Sequence, residues 1–333
     1  MPSFRTGTVT EVLLERPGLQ RVATDAGRAY ALTQLTGPVA VGDRVVLNTT
    51  AVELGLGTGG WHVVHWNLAR ETWHEPGPGH IMKVRYTSLQ SDTGAAEEVH
   101  PELSRDLDGM PVIACSLHSQ VPAVAVAILA AVPTACIAYV MTDGAALPMA
   151  LSDLVVDMVD AGLLAATITA GHAFGGDLEA VSVPSALALA RHVVAADVAI
   201  VAMGPGVVGT GTALGTTSVE VAAVLDAAAA LGGAPIAALR MSSGDARARH
   251  QGVSHHTRTA LDLTRSRVLV AIPQQGAYAD ARHDVRLVPP PAIPELLRDA
   301  GLRVTTMGRS PSEDPLFFEA AGAAGALAAT LLG

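Results

Sequence analysis

The chain has 333 residues, of which 50% are hydrophobic and 3% aromatic, with 31 acidic and 21 basic residues and a net charge of −10. That length allows one large core or two domains, and the apolar half must be buried on alanine, valine and leucine rather than on rings. The acidic balance, with no basic run, argues against non-specific binding to nucleic acid or to an anionic membrane surface.

Residues 1–78 read as all-β. Thr6–Leu14 alternates, Gln20–Thr24 and Arg28–Leu32 flank Asp25-Ala26-Gly27, and Gly42-Asp43 precedes Arg44–Asn48. Short strands joined by glycine and aspartate turns suit a small barrel of the OB or SH3-like kind. The strands up to Asn48 carry no aromatic residue beyond Phe4 and Tyr30, so a structural or oligomerising barrel is the reading. The opening MPSFRTGTVTEV has no apolar h-region and is not expected to be a signal peptide. Trp73–His80 is a proline and glycine linker whose imidazoles suit turn caps better than a metal, followed by an expected strand Ile81–Leu89 and an exposed loop, Ser91–Pro101.

From about residue 110 the pattern changes to β/α alternation. Gly109–Thr142 has no Asp, Glu, Lys or Arg and satisfies a naive membrane-span filter, but His118, Ser119, Gln120, Pro122 and Pro133 divide it into strand, helix and strand. Cys115 and Cys136 fall inside its apolar runs and read as small buried residues of a reduced cytosol. Seven apolar runs, near Val112–Leu117, Cys136–Met141, Ala166–Ala170, Val198–Met203, Ile236–Met241, Val268–Ile272 and Arg303–Met307, alternate with alanine-rich helical stretches. The fold class expected is therefore α/β, a largely parallel doubly wound sheet over residues 79–333, preceded by a small N-terminal β-barrel-like domain.

In such a sheet all strand C-termini lie on one edge, where ligands bind. The residues expected there include Leu117–Gln120, Thr142-Asp143-Gly144, Gly171–Asp177, Ser242–Asp245, Arg247–His250, Ser254–Thr257, Gln274-Gln275-Gly276 and Gly308–Ser310. Asp143, His172, Asp177 and His256 are the candidates for acid–base work, since imidazole near carboxylate supplies a base and its orienter. Each also has a plain structural reading: Asp143 and Asp177 as helix caps, Ser254 as the cap of a helix beginning near His255. Adjacent helical histidines point about 100° apart, so at most one of His255 and His256 is expected to face the site.

The fourth run meets the loop Gly204–Thr212, after which a helix is expected from about Ala213 to Leu231. Strand, glycine loop and helix present backbone N–H groups to an anion. Gly204, Gly206, Gly209, Thr210, Gly211 and Thr212 are the candidate anion ligands, with His118, Ser119, Ser254 and His255 beside them. Gly204, Gly206 and Gly209 also match G-x-G-x-x-G, but Pro205 stiffens the turn, and no acidic residue closes the next strand. The alternative is a turn that lets two backbones approach closely. No common catalytic template is present.

The motifs GHIMKVRYTSLQ (79–90), AYVMTDGAALP (138–148), GHAFGGDLEAV (171–181), AMGPGVVGTGT (202–212) and GVSHHTRTAL (252–261), in that order, resemble an uncharacterised bacterial family of actinobacteria and firmicutes known only as a domain of unknown function. The resemblance spans essentially the whole chain and implies a bacterial cytosolic protein whose motifs form one site. It implies no reaction.

The leading expectation is a cytosolic enzyme acting on a phosphorylated or nucleotide-like small molecule, with no nucleic-acid or membrane partner and scope for a homo-oligomer. The alternatives are a non-catalytic ligand sensor or scaffold and an NAD(P)-dependent oxidoreductase. The cofactor is left open. A metal held by His118, His172 and His255 or His256 with Asp143 or Asp177 has the right ligand types, but those residues are far apart in sequence, and a metal-free protein is expected.

Overall fold

The computed structural model describes residues 2–274 and 277–333, so Gln275 and Gly276, expected at the end of the sixth run, lie outside the described residues. The chain forms two compact units, Met1–Gly94 and Ala95–Gly333.

In the first unit β1 (Phe4–Arg16), β2 (Leu19–Thr24), β3 (Gly27–Ala31), β4 (Arg44–Asn48) and β5 (His62–Asn67) close into a barrel of order β1-β2-β3-β5-β4, with short helices α1 (Thr33–Thr36) and α2 (Thr50–Glu53) between strands. Alternation explains closure: Val9, Val22, Ala29, Ala31, Val45, Leu47 and Val64 point inward and form a small core of their own. The five-stranded closed arrangement is that of OB barrels rather than SH3-like ones. The expected strand Ile81–Leu89 shrinks to β6 (Met82–Lys83), paired with β7 (Ser91–Asp92), because Val84 and Tyr86 take positive φ and break the extended run.

The second unit begins with α3 (Ala96–Val99) and then alternates: β8 (Pro111–Cys115), α4 (Val121–Ala131), β9 (Ile137–Thr142), α5 (Asp153–Asp160), β10 (Ala166–Ala170), β11 (Leu178–Ala180), α6 (Val183–His192), β12 (Val198–Met203), α7 (Glu220–Ala230), β13 (Ala234–Ala238). A small ribbon of β14 (Met241–Ser242) and β15 (Gly252–Val253) follows, then α8 (His255–Leu263), β16 (Leu269–Ile272), β17 (Asp284–Leu287), α9 (Ile293–Asp299) and α10 (Pro315–Ala329). Eight strands form one sheet of order β11-β10-β9-β12-β8-β13-β16-β17, all neighbours parallel. Its central strands are buried from end to end, which is why they read as unbroken apolar runs.

Helices cover both faces: α4, α5, α9 and α10 share one core cluster, α6, α7 and α8 the other. Small side chains let α10 approach α4 closely; a Cβ added at Gly325 would strike the Val124 carbonyl, which shows how a core nearly without rings reaches native density. Among the described residues no helix is long and apolar enough to cross a membrane.

Two expectations are corrected. Arg303–Met307 is not a strand, because Val304 drops into the core and a tight turn at Met307-Gly308, both with positive φ, ends the run. The sheet is instead completed by the edge strands β11 and β17, too short or too polar to stand out as apolar runs. The helix expected from Ala213 starts only at Glu220, after a 3-10 turn, Thr217–Val219.

Candidate functional site

Connections from β8 and β9 pass over the α4/α5 face, whereas those from β12 and β13 pass over the α7/α8 face. Neighbouring strands that send their loops to opposite faces open a crevice at their C-terminal ends, the usual ligand position in such sheets.

On the β9 side of this crevice lies a carboxylate pair. Thr142 Oγ1 donates to Glu220 Oε1 at 2.6 Å, and Asp143 Oδ2 accepts the His172 backbone N–H at 2.9 Å. Gly144 lies beside the Glu220 carboxylate, and a Cβ there would sit 2.5 Å from Oε2. Burial raises the Glu220 carboxyl to about 7, with the charge of Asp143 adding to it and the Thr142 hydrogen bond opposing it. No ion pair reaches Glu220 among the described residues. The sequence reading missed this residue, since a glutamate in the first turn of a helix is ordinary; only the fold brings Thr142 and Asp143 to it.

The loop after β12 forms the crevice's central wall. It folds on itself: Thr210 N–H donates to the Gly215 carbonyl, Thr217 N–H to Val208, and the Thr210 and Thr212 hydroxyls pair at 2.8 Å. Thr216 Oγ1 caps the following turn by accepting from the Ser218 N–H, so no bare helix N-terminus faces the loop. A Cβ at Gly204 would strike the Ala146 carbonyl, and one at Gly209 would sit 2.7 Å from His256 Cε1. Close backbone approach thus accounts for these two glycines. The N–H groups of Gly206, Gly209 and Gly211 donate to no acceptor among the described residues.

Beyond the loop, three imidazoles converge. His250 ends the short turn Ala248–His250, while His255 and His256 begin α8 behind Ser254, whose Oγ accepts the His256 N–H. Ring centroids lie 5.2 Å (His250–His255), 5.3 Å (His250–His256) and 3.9 Å (His255–His256) apart. Both adjacent histidines therefore face one point, against the single one expected: in the first turn side-chain torsions offset the backbone's rotation. Among the described residues, His255 Nε2 and both nitrogens of His256 are buried without a hydrogen bond of ordinary geometry, although the Thr210 carbonyl faces His256 and opposes its downward shift. Leaving such groups unpaired costs about 1–3 kcal/mol each. All three rings are held below the usual histidine range by burial first; His250 falls to about 3, with Arg240 and Arg247 adding to the shift.

Alongside runs an ion-pair network. Asp245 takes both Nε and Nη2 of Arg247, at 2.9 and 2.7 Å, and faces Arg240 at 3.8 Å and Arg309 at 3.4 Å; Arg309 also pairs with Asp314 at 3.0 Å. The Arg247 hydrogen bonds, with the neighbouring guanidiniums, hold the Asp245 carboxyl far below the ordinary range. Arg309 arrives here although its segment is not a strand.

Other candidates lie elsewhere. Asp177 accepts from the Thr167 N–H and hydroxyl at 2.8 and 2.9 Å, at the N-terminal end of β10 and so at the opposite edge, because the chain doubles back after β10 to begin β11. His118 is buried: Nε2 accepts from Ser152 Oγ at 2.7 Å, and Nδ1 faces Tyr139 Oη and the Met203 carbonyl. Ser119 is half-buried in the same turn. Burial lowers His118 to about 4, so it ties the Ser152 cap of α5 to the sheet as a neutral ring.

The doubly wound sheet, barrel and polar C-terminal edge define an α/β protein of the open-sheet class with an added barrel. The family profile described as protein of unknown function (DUF3866) matches residues 28–325, and the chain belongs to that family. Comparison with curated proteins and with solved structures returns no match.

Proposed function

We propose that the chain is an enzyme that acts on a small anionic metabolite, phosphorylated or nucleotide-like, with Glu220 transferring the proton. The observation that carries this reading is the Glu220 carboxyl itself, half-buried, held by Thr142, beside Asp143 and poised near neutrality. A proton-transfer group works best when its pKa lies near the operating pH, and burial next to a second carboxylate is a usual way to raise one. Asp143 is the partner carboxylate, with His172 positioned on it by its backbone N–H.

The anionic character of the substrate is supported by two features. The N–H groups of Gly206, Gly209 and Gly211 are left to donate outward, and Arg240, Arg247, Arg249 and Arg309 outnumber the acidic Asp245 and Asp314 beside the crevice. The two free thiols suit a reducing, cytosolic setting.

A panel of nucleotides and sugar phosphates, read by thermal shift and then by product formation, tests the proposal. An anionic ligand should raise the melting temperature of wild type and of Glu220→Gln alike, while turnover collapses only in the variant. No shift from any anionic compound, or unchanged turnover in Glu220→Gln, overturns it.

A further inference from the structure

We propose that His250, His255 and His256 form a binding site for one divalent transition-metal ion of the zinc class, with its fourth position open. One nitrogen from each ring lies within 4.8 Å of the other two. A tetrahedral ion with nitrogen ligands at about 2.0–2.1 Å needs those nitrogens about 3.3 Å apart, so the rings must close by at most about 1.5 Å. Small torsions of side chains at the start of α8 and at the end of a short turn supply that movement.

Three details suit a metal rather than a packed imidazole cluster. His256 is 2% exposed and His250 1%, yet among the described residues His255 Nε2 makes no hydrogen bond and His256 is faced only by the Thr210 carbonyl, without a bond of ordinary geometry at either ring nitrogen. Ser254 Oγ lies 2.8 Å from His250 Nδ1 and also accepts the His256 N–H; in the metal-bound form the hydroxyl would receive the Nδ1–H and leave His250 Nε2 as the lone-pair donor. That is the outer hydrogen bond metal-bound histidines use to set ring orientation. Finally, among the described residues no carboxylate joins the cluster; Asp245 is occupied by arginines.

Three neutral ligands leave the ion its full charge, and Arg240 stands close by, matched by Asp245 at 3.8 Å. The fourth position therefore favours an anionic oxygen, hydroxide or a substrate oxyanion. Gly209 abuts His256 and places the glycine loop against this position. The inference goes beyond the Glu220 reading and replaces the metal-free expectation.

The test uses the full-length, tag-free chain, stripped with chelator and titrated with Zn²⁺ alone by calorimetry and elemental analysis, then with Co²⁺ for its visible spectrum. About one equivalent should bind, with intense absorption of tetrahedral or five-coordinate cobalt. His250→Ala, His255→Ala and His256→Ala should each lose that spectrum, Ser254→Ala should bind about ten- to hundredfold more weakly, and His172→Ala should bind as wild type. His255 is half-buried, so its variant serves if the deeper two fail to fold, as judged by melting without metal. Binding below about a tenth of an equivalent, or a cobalt spectrum retained in His255→Ala, overturns the proposal. Neither readout depends on activity, so this result stands apart from the fate of Glu220.

Discussion

The Thr142 hydroxyl and the Glu220 carboxylate, 2.6 Å apart, join the end of β9 to the first turn of α7, on either side of the loop that leaves β12. A helix N-terminus normally favours an ionised carboxylate. Here burial and the neighbouring Asp143 outweigh that preference and raise the carboxyl to about 7. A group destabilised as an anion in the folded chain has consequences for stability and for chemistry.

Glu220→Gln should flatten the pH dependence of stability on the alkaline side. The unfolded carboxyl titrates near 4.5 and the folded one near 7, so the folded chain holds a proton that the unfolded chain has released. Stability is then lost as pH rises through that window, by up to about 3 kcal/mol for the full difference. Urea midpoints at pH 5 and pH 8 check this: the variant should match wild type at pH 5 and exceed it by about 1–3 kcal/mol at pH 8. An equal gap at both values would contradict it.

The acid side behaves in the opposite sense. His118 and His250 titrate near 4 and 3 when folded against 6.5 when unfolded, so the unfolded chain takes up protons first and stability falls as pH drops below 6.5. Ser152→Ala removes both the cap of α5 and the donor to His118 Nε2. It should cost about 1–3 kcal/mol at pH 7, measured by urea unfolding, and without a change in fold by circular dichroism.

Two glycines of the loop should respond differently. Gly206 has φ +105° and open space around it, so Gly206→Ala costs only backbone strain, about 1–2 kcal/mol. Gly209→Ala places a Cβ 2.7 Å from His256 Cε1 and must displace that ring. NMR of the histidine ring protons should show His256 and His255 shifting in Gly209→Ala and staying in place in Gly206→Ala.

The fold was legible where burial is two-sided: the runs around Val112, Val140, Ile168 and Val201 became strands because strands covered on both faces are apolar throughout. Edge strands escaped, since Asp284–Leu287 needs no such run. Of the site, Asp143, His172, His250, His255 and His256 were visible as polar residues after strands, whereas Glu220 was hidden inside a helix start. Asp177 misled because proximity in sequence to β10 does not reveal that the chain reverses before β11. The loop glycines matched a phosphate-binding spacing, but the spacing does not say that Thr216 caps the next turn or that Gly209 faces an imidazole.

The most direct measurement is the titration of Glu220 itself, followed through its side-chain carboxyl carbon by NMR and assigned by loss of the signal in Glu220→Gln. The account predicts a midpoint near 7, moving toward the ordinary value in Asp143→Asn. A midpoint near 4.5 in the folded wild type would contradict it and remove Glu220 from any proton-transfer role.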